Sequence, residues 1–259
     1  MALFRVDHSS VCVKVNLPLY MILPSPGSLK EKILEDFRVL FLLHGLSDDA
    51  SAWQRYTNIE ILARELDLAV IMPSGGRSMY TDMVNGQAYF SYLTEELPEY
   101  LRKVFHLNLN RENTAIAGLS MGGYGAFKAA LLRPELYSAA GSFSGVLGLQ
   151  FFPRIEDETM RVEFTQLFGD LNQAAGGKDD PLVWLESAAK KPAAYPRLYA
   201  SCGKQDELLP LNRIFRQRAL ELAVALTYVE EDGIHDWFFW QDQIAYFLRH
   251  FYPATAQAN

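Results

Sequence analysis

The sequence predicts an α/β fold: a mostly parallel central sheet with helices on both faces. Three observations predict it. Short apolar runs recur, RVLFLLHG (38–45), LAVIMP (68–73) and TAIAGLS (114–120), each the pattern of a strand covered on both faces. Segments of helical periodicity alternate with them, the rhythm of βα units. The length, 259 residues, fits one large α/β domain over 1–259 better than two small ones.

The elements follow in chain order. Val11, Val13, Val15 and Leu17 alternate with Cys12, Lys14 and Asn16, which predicts a half-buried strand near one sheet edge. PSPGS (24–28) signals a turn. The strand at 38–45 ends in a glycine. Thr57 and Glu60 have capping-box spacing, so a helix is expected to start at Asn58. A second buried strand follows at 68–73. Residues 89–105 read as a helix that Pro98 must either kink or restart. A strand at 114–120 leads into a helix at 122–132. SAAGSFSG (138–145) is a strand of small residues. RLYASCG (197–203) is a strand, 211–223 a helix, ALTYVEE (225–231) the last strand and 236–251 the last helix. The stretch 146–196, long, mixed in charge and containing AAGGKDDP, breaks the rhythm. It reads as a cap-like insertion over one end of the sheet.

Composition excludes several classes. Hydrophobic residues make up 49%, enough for a substantial core and too many for a disordered chain. The formal net charge of −7 argues against a nucleic-acid partner, which usually demands a basic face. No run of about 18 apolar residues predicts a membrane span. Cys12 and Cys202 make neither a disulfide framework nor a metal spacing, so reduced, buried thiols are expected. MALFRVDHSSVCVKV lacks the pattern of a signal peptide, and a cytoplasmic protein is the simplest expectation. No metal or cofactor is expected. A homo-oligomer stays open.

Gly118-Leu119-Ser120-Met121-Gly122 fits G-x-S-x-G between a strand and a helix. The chemistry needs that pattern for a steric reason. The serine must sit on a strained turn so that Oγ projects above the sheet edge, and small neighbours let strand and helix approach. The plainer reading of Ser120 is a helix N-cap. A nucleophilic serine needs a base and an orienting acid, in the chain order Ser, acid, His. Of five histidines only His235 and His250 follow with room for an acid. His250 ends an amphipathic helix, whereas His235 stands in a glycine-containing loop just past a strand. Asp206, beyond the strand 197–203, is the acid expected to hold Nδ1 of His235. Glu207 and Asp232 compete for that role. Asp170, Asp179 and Asp180 fall in the insertion and are expected to be solvated. The backbone N–H of Met121 and that of Leu46, in LLHGLSDD, are the expected oxyanion donors; losing one typically costs about 3 kcal/mol of transition-state stabilisation. His44 itself reads as structural.

HGLSDDASAW, MPSGGRSMYTDM, AGLSMGGYGAFKAAL, SFSG, CGKQDELL and GIHDWFFW together resemble the esterase D branch of the α/β-hydrolases, with the nearest likeness to small bacterial tributyrin-type esterases. The resemblance runs from Leu40 to the last helix. It implies a triad of Ser120, Asp206 and His235, with Leu46 and Met121 as oxyanion donors. It also implies a small-molecule acyl ester as substrate. S-formylglutathione hydrolases, carbohydrate acetyl- and feruloyl-esterases and mycolyltransferases are relatives, so a thioesterase, a carbohydrate acetylesterase and an acyltransferase are alternatives. A non-catalytic binding scaffold usually loses a triad member, and here all three candidates stand.

Tyr80 and Trp237 are expected in loops beside the catalytic edge as pocket walls, and Trp184 as a cap residue packing onto the site. Trp53 and Trp240 are expected in the core. No residue is evidently placed to hold a charged substrate tail.

Overall fold

The computed structural model describes residues 1–24, 37–191 and 195–252. One eight-stranded sheet runs through them in the spatial order β1-β2-β4-β3-β5-β6-β7-β8. The strands are β1 (Ala2–Ser9), β2 (Asn16–Leu23), β3 (Arg38–Leu43), β4 (Leu68–Pro73), β5 (Thr114–Leu119), β6 (Ala139–Phe143), β7 (Arg197–Gly203) and β8 (Leu226–Glu231). β1 pairs antiparallel with β2, and β2 antiparallel with β4. The six strands from β4 to β8 are all parallel. Their side chains alternate between two cores. Val39, Phe41 and Leu43 of β3 face one, Leu40 and Leu42 the other, as the two-residue period of a strand requires. On the first face lie α4 (Leu97–Phe105), α5 (Met121–Leu132), α7 (Pro181–Ala189) and α8 (Leu209–Glu221). On the second lie α1 (Ala52–Tyr56), α2 (Ile59–Glu65) and α9 (Trp237–Phe251).

The chain leaves β3 toward β4 on one side and returns to β5 on the other. The C-terminal ends of β3 and β5 therefore frame a topological switch point, where loops diverge and a crevice opens.

The N-terminal expectation needs correction. Residues 11–15 form a turn between β1 and β2 rather than a strand. Lys14 has φ 63°, and Val11 and Val15 are exposed. The turn is held from afar by Glu96, whose carboxylate accepts from Val11 N–H (2.6 Å), Cys12 N–H (3.0 Å) and Ser10 Oγ (2.7 Å). The turn expected at 24–28 lies, past Pro24, outside the described residues. The expected helix start is shifted by one residue and no capping box forms at its N-cap: Asn58 precedes α2 without a side-chain bond, while Thr57 Oγ1 accepts from Ile59 N–H at 3.2 Å. Pro98 restarts the helix through a wider turn. α3 (Tyr89–Ser91) passes into a π-turn at Tyr92–Glu96, where Leu97 N–H reaches Tyr92 O, and α4 begins with the proline in its first turn. Pro98 has no N–H to donate and its ring crowds the carbonyl four residues back, and the π-turn makes that room.

Within the stretch 146–191 lie a 3₁₀ turn (Phe152–Arg154), α6 (Glu158–Phe168) and α7. Asp179 and Asp180 are buried there, against the expectation of solvation. Asp180 caps α7 through Leu182 N–H (3.0 Å) and also accepts from Gly176 N–H (2.7 Å). Asp179 meets Lys128 of α5 at 2.7 Å, and Thr81 Oγ1 also takes a hydrogen bond from that ammonium. Asp170 is exposed.

Both cysteines are free, Cys202 buried and Cys12 half-buried. Burial, joined by the negative charge of Glu96, pushes the Cys12 thiol up to about 11, and burial pushes Cys202 up to about 12. Neither is a thiolate at neutral pH. Among the described residues no helix is long and apolar enough to cross a membrane.

Candidate active site

Ser120 stands between the end of β5 and the start of α5 with φ 51° and ψ −116°. That backbone is strained for a residue with a side chain, and its surroundings hold it there. Its N–H donates to Phe143 O of β6 at 2.9 Å, and its carbonyl accepts from Tyr124 N–H at 3.1 Å. The side chain makes no capping hydrogen bond to α5. The N-cap reading thus loses its chemical content: Oγ is left for another use.

Two glycines permit the elbow. A methyl on Gly118 would meet the backbone of Gly122. A methyl on Gly122 would strike the carbonyls of Leu43 and His44. The end of β3 and the start of α5 can approach only because no side chain lies between them. Gly122→Ala is therefore expected to separate them. A displacement of about 1 Å here should lower kcat/KM for an activated ester about 100-fold. Overpacking of this kind typically costs about 1–3 kcal/mol, a thermal midpoint lower by several degrees. Ester turnover and thermal unfolding of the variant check this.

The loop after β3 faces the elbow. His44 is buried and neutral: burial lowers its pKa, Nε2 accepts from Gly75 N–H at 2.9 Å, and Nδ1 is therefore the protonated nitrogen, donating to Gly45 O at 2.8 Å. The loop is thereby pinned, and Leu46 reaches the cleft. Met121 is the first residue of α5, so its N–H is one of those a helix leaves without an internal partner.

Asp206 and His235 come from the loops after β7 and β8. Those loops extend the strand pairing beyond the sheet: Lys204 N–H donates to Glu231 O (2.8 Å), Gln205 N–H to Gly233 O (3.1 Å), and Gly233 N–H to Gln205 Oε1 (2.8 Å). This register sets the Asp206 carboxylate 2.9 Å from His235 Nδ1. Burial alone would raise the carboxyl. The hydrogen bonds from His235 and from Leu208 N–H (2.8 Å) help outweigh it, and Asp206 sits below the usual carboxylate range. With Nδ1 turned to the acid, a neutral imidazole carries its proton there and keeps the Nε2 lone pair free. The ring is seated edge-on against Trp240, centroids 4.9 Å apart.

Ser120 and His235 line one cleft of about 410 Å³, together with Leu46, Asp48, Trp237 and Trp240. Asp206 is buried behind the imidazole. Glu207 and Asp232, the competing acids, do not hold the histidine, and Asp232 instead pairs with Lys204 at 3.4 Å. His250 lies in the last turn of α9.

Two of the aromatic residues, Tyr80 and Trp184, depart from the expectation. Trp237 lines the cleft and packs edge-on to Trp53, which is core and donates Nε1–H to Leu43 O at 2.9 Å. Trp240 is in the core as expected, and because α9 begins at the rim it also lines the cleft. Tyr80 is buried beneath β3, not in the wall. Its hydroxyl takes His44 N–H at 3.0 Å, a brace for the oxyanion loop. Trp184 is buried away from the cleft, edge-on to Tyr124 of α5, with Nε1–H on Lys178 O at 2.7 Å. Long-range packing, which no local pattern carries, decides both cases. Among the described residues no three His, Cys, Asp or Glu side chains are grouped as metal ligands.

The chain is similar to known ester hydrolases. The chain is 30% identical over 255 residues to an acetyl esterase of Caldicellulosiruptor saccharolyticus, covering 95% of this chain and 96% of that one. A fluorophosphonate-binding serine hydrolase of Staphylococcus aureus, FphF, superimposes with a TM-score of 0.88 at 31% identity, over 96% of this chain and 98% of that one. An S-formylglutathione hydrolase of the same organism, FrmB, gives a TM-score of 0.85 at 31% identity, again over 96% and 98%. The family described as "Putative esterase" matches residues 13–251. The chain belongs to that esterase family, with the α/β-hydrolase fold, and is an enzyme acting on ester bonds.

Proposed function

We propose that the protein is a serine carboxylesterase of the esterase D type, hydrolysing short-chain acyl esters as tributyrin-type esterases do. Ser120 Oγ attacks the ester carbonyl while His235 Nε2 takes its proton. The tetrahedral oxyanion accepts from the N–H groups of Leu46 and Met121. It collapses as His235 returns the proton to the departing alcohol. Water, deprotonated by the same imidazole, then attacks the acyl-serine and frees the acid. Asp206 holds the Nδ1–H and stabilises the imidazolium. The single observation that carries this reading is the uncapped Ser120 Oγ on a strained elbow, sharing one cleft with an imidazole held by a buried carboxylate.

The indole walls of Trp237 and Trp240 support a short acyl group. The stretch 146–196 is read as a cap. Support comes from Glu163 of α6, which grips Arg77 at 2.5 and 2.7 Å while the same guanidinium reaches Leu46 O at 3.3 Å. The insertion is thus tied to the oxyanion loop. The unpaired thiols suit a cytoplasmic setting.

Thioester hydrolysis of S-formylglutathione is the second reading, supported by the likeness to FrmB. A series of p-nitrophenyl esters from acetate to octanoate, run beside S-formylglutathione, decides. The expected profile peaks at two to four acyl carbons and falls beyond six, with the thioester slower than the best ester. A maximum at octanoate, or a thioester rate above every ester, overturns the assignment.

A further inference from the structure

Asp48 stands in the catalytic cleft and has no part in the mechanism above. It lies in the turn that presents Leu46: its N–H donates to Gly45 O at 3.2 Å. A methyl built on Gly45 would sit 3.1 Å from Asp48 Oδ2 and 3.9 Å from Ser120 Cβ, so carboxyl and nucleophile share the space beside one glycine. Among the described residues, no Lys or Arg pairs with Asp48.

The rest of the cleft does not offset that charge. Its lining holds one other carboxylate, Asp236, and no Lys or Arg. Asp236 is committed to capping α9 through Phe239 N–H at 3.0 Å. Asp49, next in sequence, is tied to Ser51 by 2.7 and 2.5 Å hydrogen bonds and held below the usual carboxylate range, chiefly by the Ser51 hydroxyl. Of the nearby cations, Arg77 is already neutralised by Glu163, and Arg55 acts on Asp49. His44 is locked neutral. Burial and the neighbouring charge of Asp49 push the Asp48 carboxyl upward, opposed only in part by a hydrogen bond from the Gly45 backbone.

We propose that Asp48 makes the cleft a charge filter, selecting neutral and cationic acyl esters and rejecting those with a carboxylate near the scissile bond. The inference rests on the serine esterase reading and narrows its substrate class. Turnover builds negative charge on the carbonyl oxygen beside this carboxylate. A second negative charge on the substrate adds a repulsion that no cation in the cleft relieves. A glutathione thioester, which carries two carboxylates and one ammonium, falls on the disfavoured side.

The test compares kcat/KM for three p-nitrophenyl esters of similar acyl length: pentanoate, the glutarate half-ester, and 4-(trimethylammonio)butyrate. Wild type is expected to rank them cationic, neutral, anionic. In Asp48→Asn the neutral-to-anionic ratio should fall by on the order of tenfold, whatever change all three share. Added salt should raise the anionic rate relative to the neutral one in wild type, and much less in the variant. Asp48→Ser, which removes the charge without an amide, should reproduce the ratio if either variant folds poorly. Ratios that stay the same in both variants, or a wild type that prefers the anionic ester, overturn the filter while leaving the esterase reading intact. Turnover of none of the three removes that reading, and the filter with it.

Discussion

Ser120→Ala is expected to lower kcat for p-nitrophenyl butyrate by on the order of 10⁶-fold, while thermal unfolding stays within about 2 °C of wild type. The activity loss follows from chemistry: Ser120 stands on the strained elbow in one cleft with His235, whose bond to Asp206 leaves Nε2 free, whereas Ser47, the other hydroxyl of the lining, is an exposed loop residue. The small change in stability follows from contacts, because the Ser120 side chain caps nothing and its backbone bonds to Phe143 and Tyr124 survive. Residues that act as one unit lose their effects together. Ser120→Ala/His235→Ala should therefore be no slower than Ser120→Ala alone. Asp206→Asn should fall about 10⁴-fold, because an amide in place of the carboxylate favours the wrong tautomer of His235. Steady-state rates of the four proteins check all three statements. Additive losses would mean that the residues do not act together.

Lys128→Met is expected to cost about 3–5 kcal/mol at pH 7, on the order of 10 °C in thermal midpoint. Lys128 is almost fully buried among the rings of Phe90, Tyr124 and Trp184, and Asp179 is its charge partner. The variant leaves that carboxylate buried, with only the exposed Lys178 to answer it. Burial works to raise Asp179, yet the charge and hydrogen bond of Lys128 outweigh it, so the folded pKa lies below the unfolded one. Such a group contributes stability above its unfolded pKa of about 4 and loses it as pH falls through the lower, folded value. In Lys128→Met the same carboxyl is raised instead and takes up its proton earlier in the descent. The gap between the two midpoints should therefore close from above pH 4 downward. Lys128→Met/Asp179→Leu should recover most of the loss, since removing both charges leaves none buried alone. Differential scanning calorimetry between pH 4 and 8 gives both results. A single variant as stable as wild type would mean that the pair does not hold the insertion to α5.

The central parallel strands were legible in the sequence because each of β3 to β6 is apolar on both faces and is followed by a glycine or serine turn, whereas the edge strand β8 is only half-buried. Residues 38–43, 68–73 and 114–119 are strands because nothing polar interrupts them. The expected triad residues were readable for a related reason: parallel strands send their following loops to one edge, so chain order implies proximity. The failures share a cause as well. The alternation at 11–17 is real, with Val13 and Leu17 buried, but a distant carboxylate on the π-turn bends those residues into a hairpin. The charges of Asp179 and Asp180 look solvated until α5 supplies a lysine and α7 its free N–H groups. Tyr80 and Trp184 have the composition of pocket walls and the contacts of internal braces. Trp240 lies in the core as expected; that it also lines the cleft follows from the first turn of α9 standing there, which a position in sequence does not reveal.

The central claim is that Ser120 Oγ is the nucleophile of an acyl-enzyme pathway. A fluorophosphonate probe, intact-protein mass spectrometry and peptide mapping test it most directly. One adduct per chain is predicted, on the peptide that contains Ser120, blocked by prior incubation with a slowly hydrolysed ester and absent from Ser120→Ala. An adduct on any other residue, or none on a protein that still turns over esters, contradicts it.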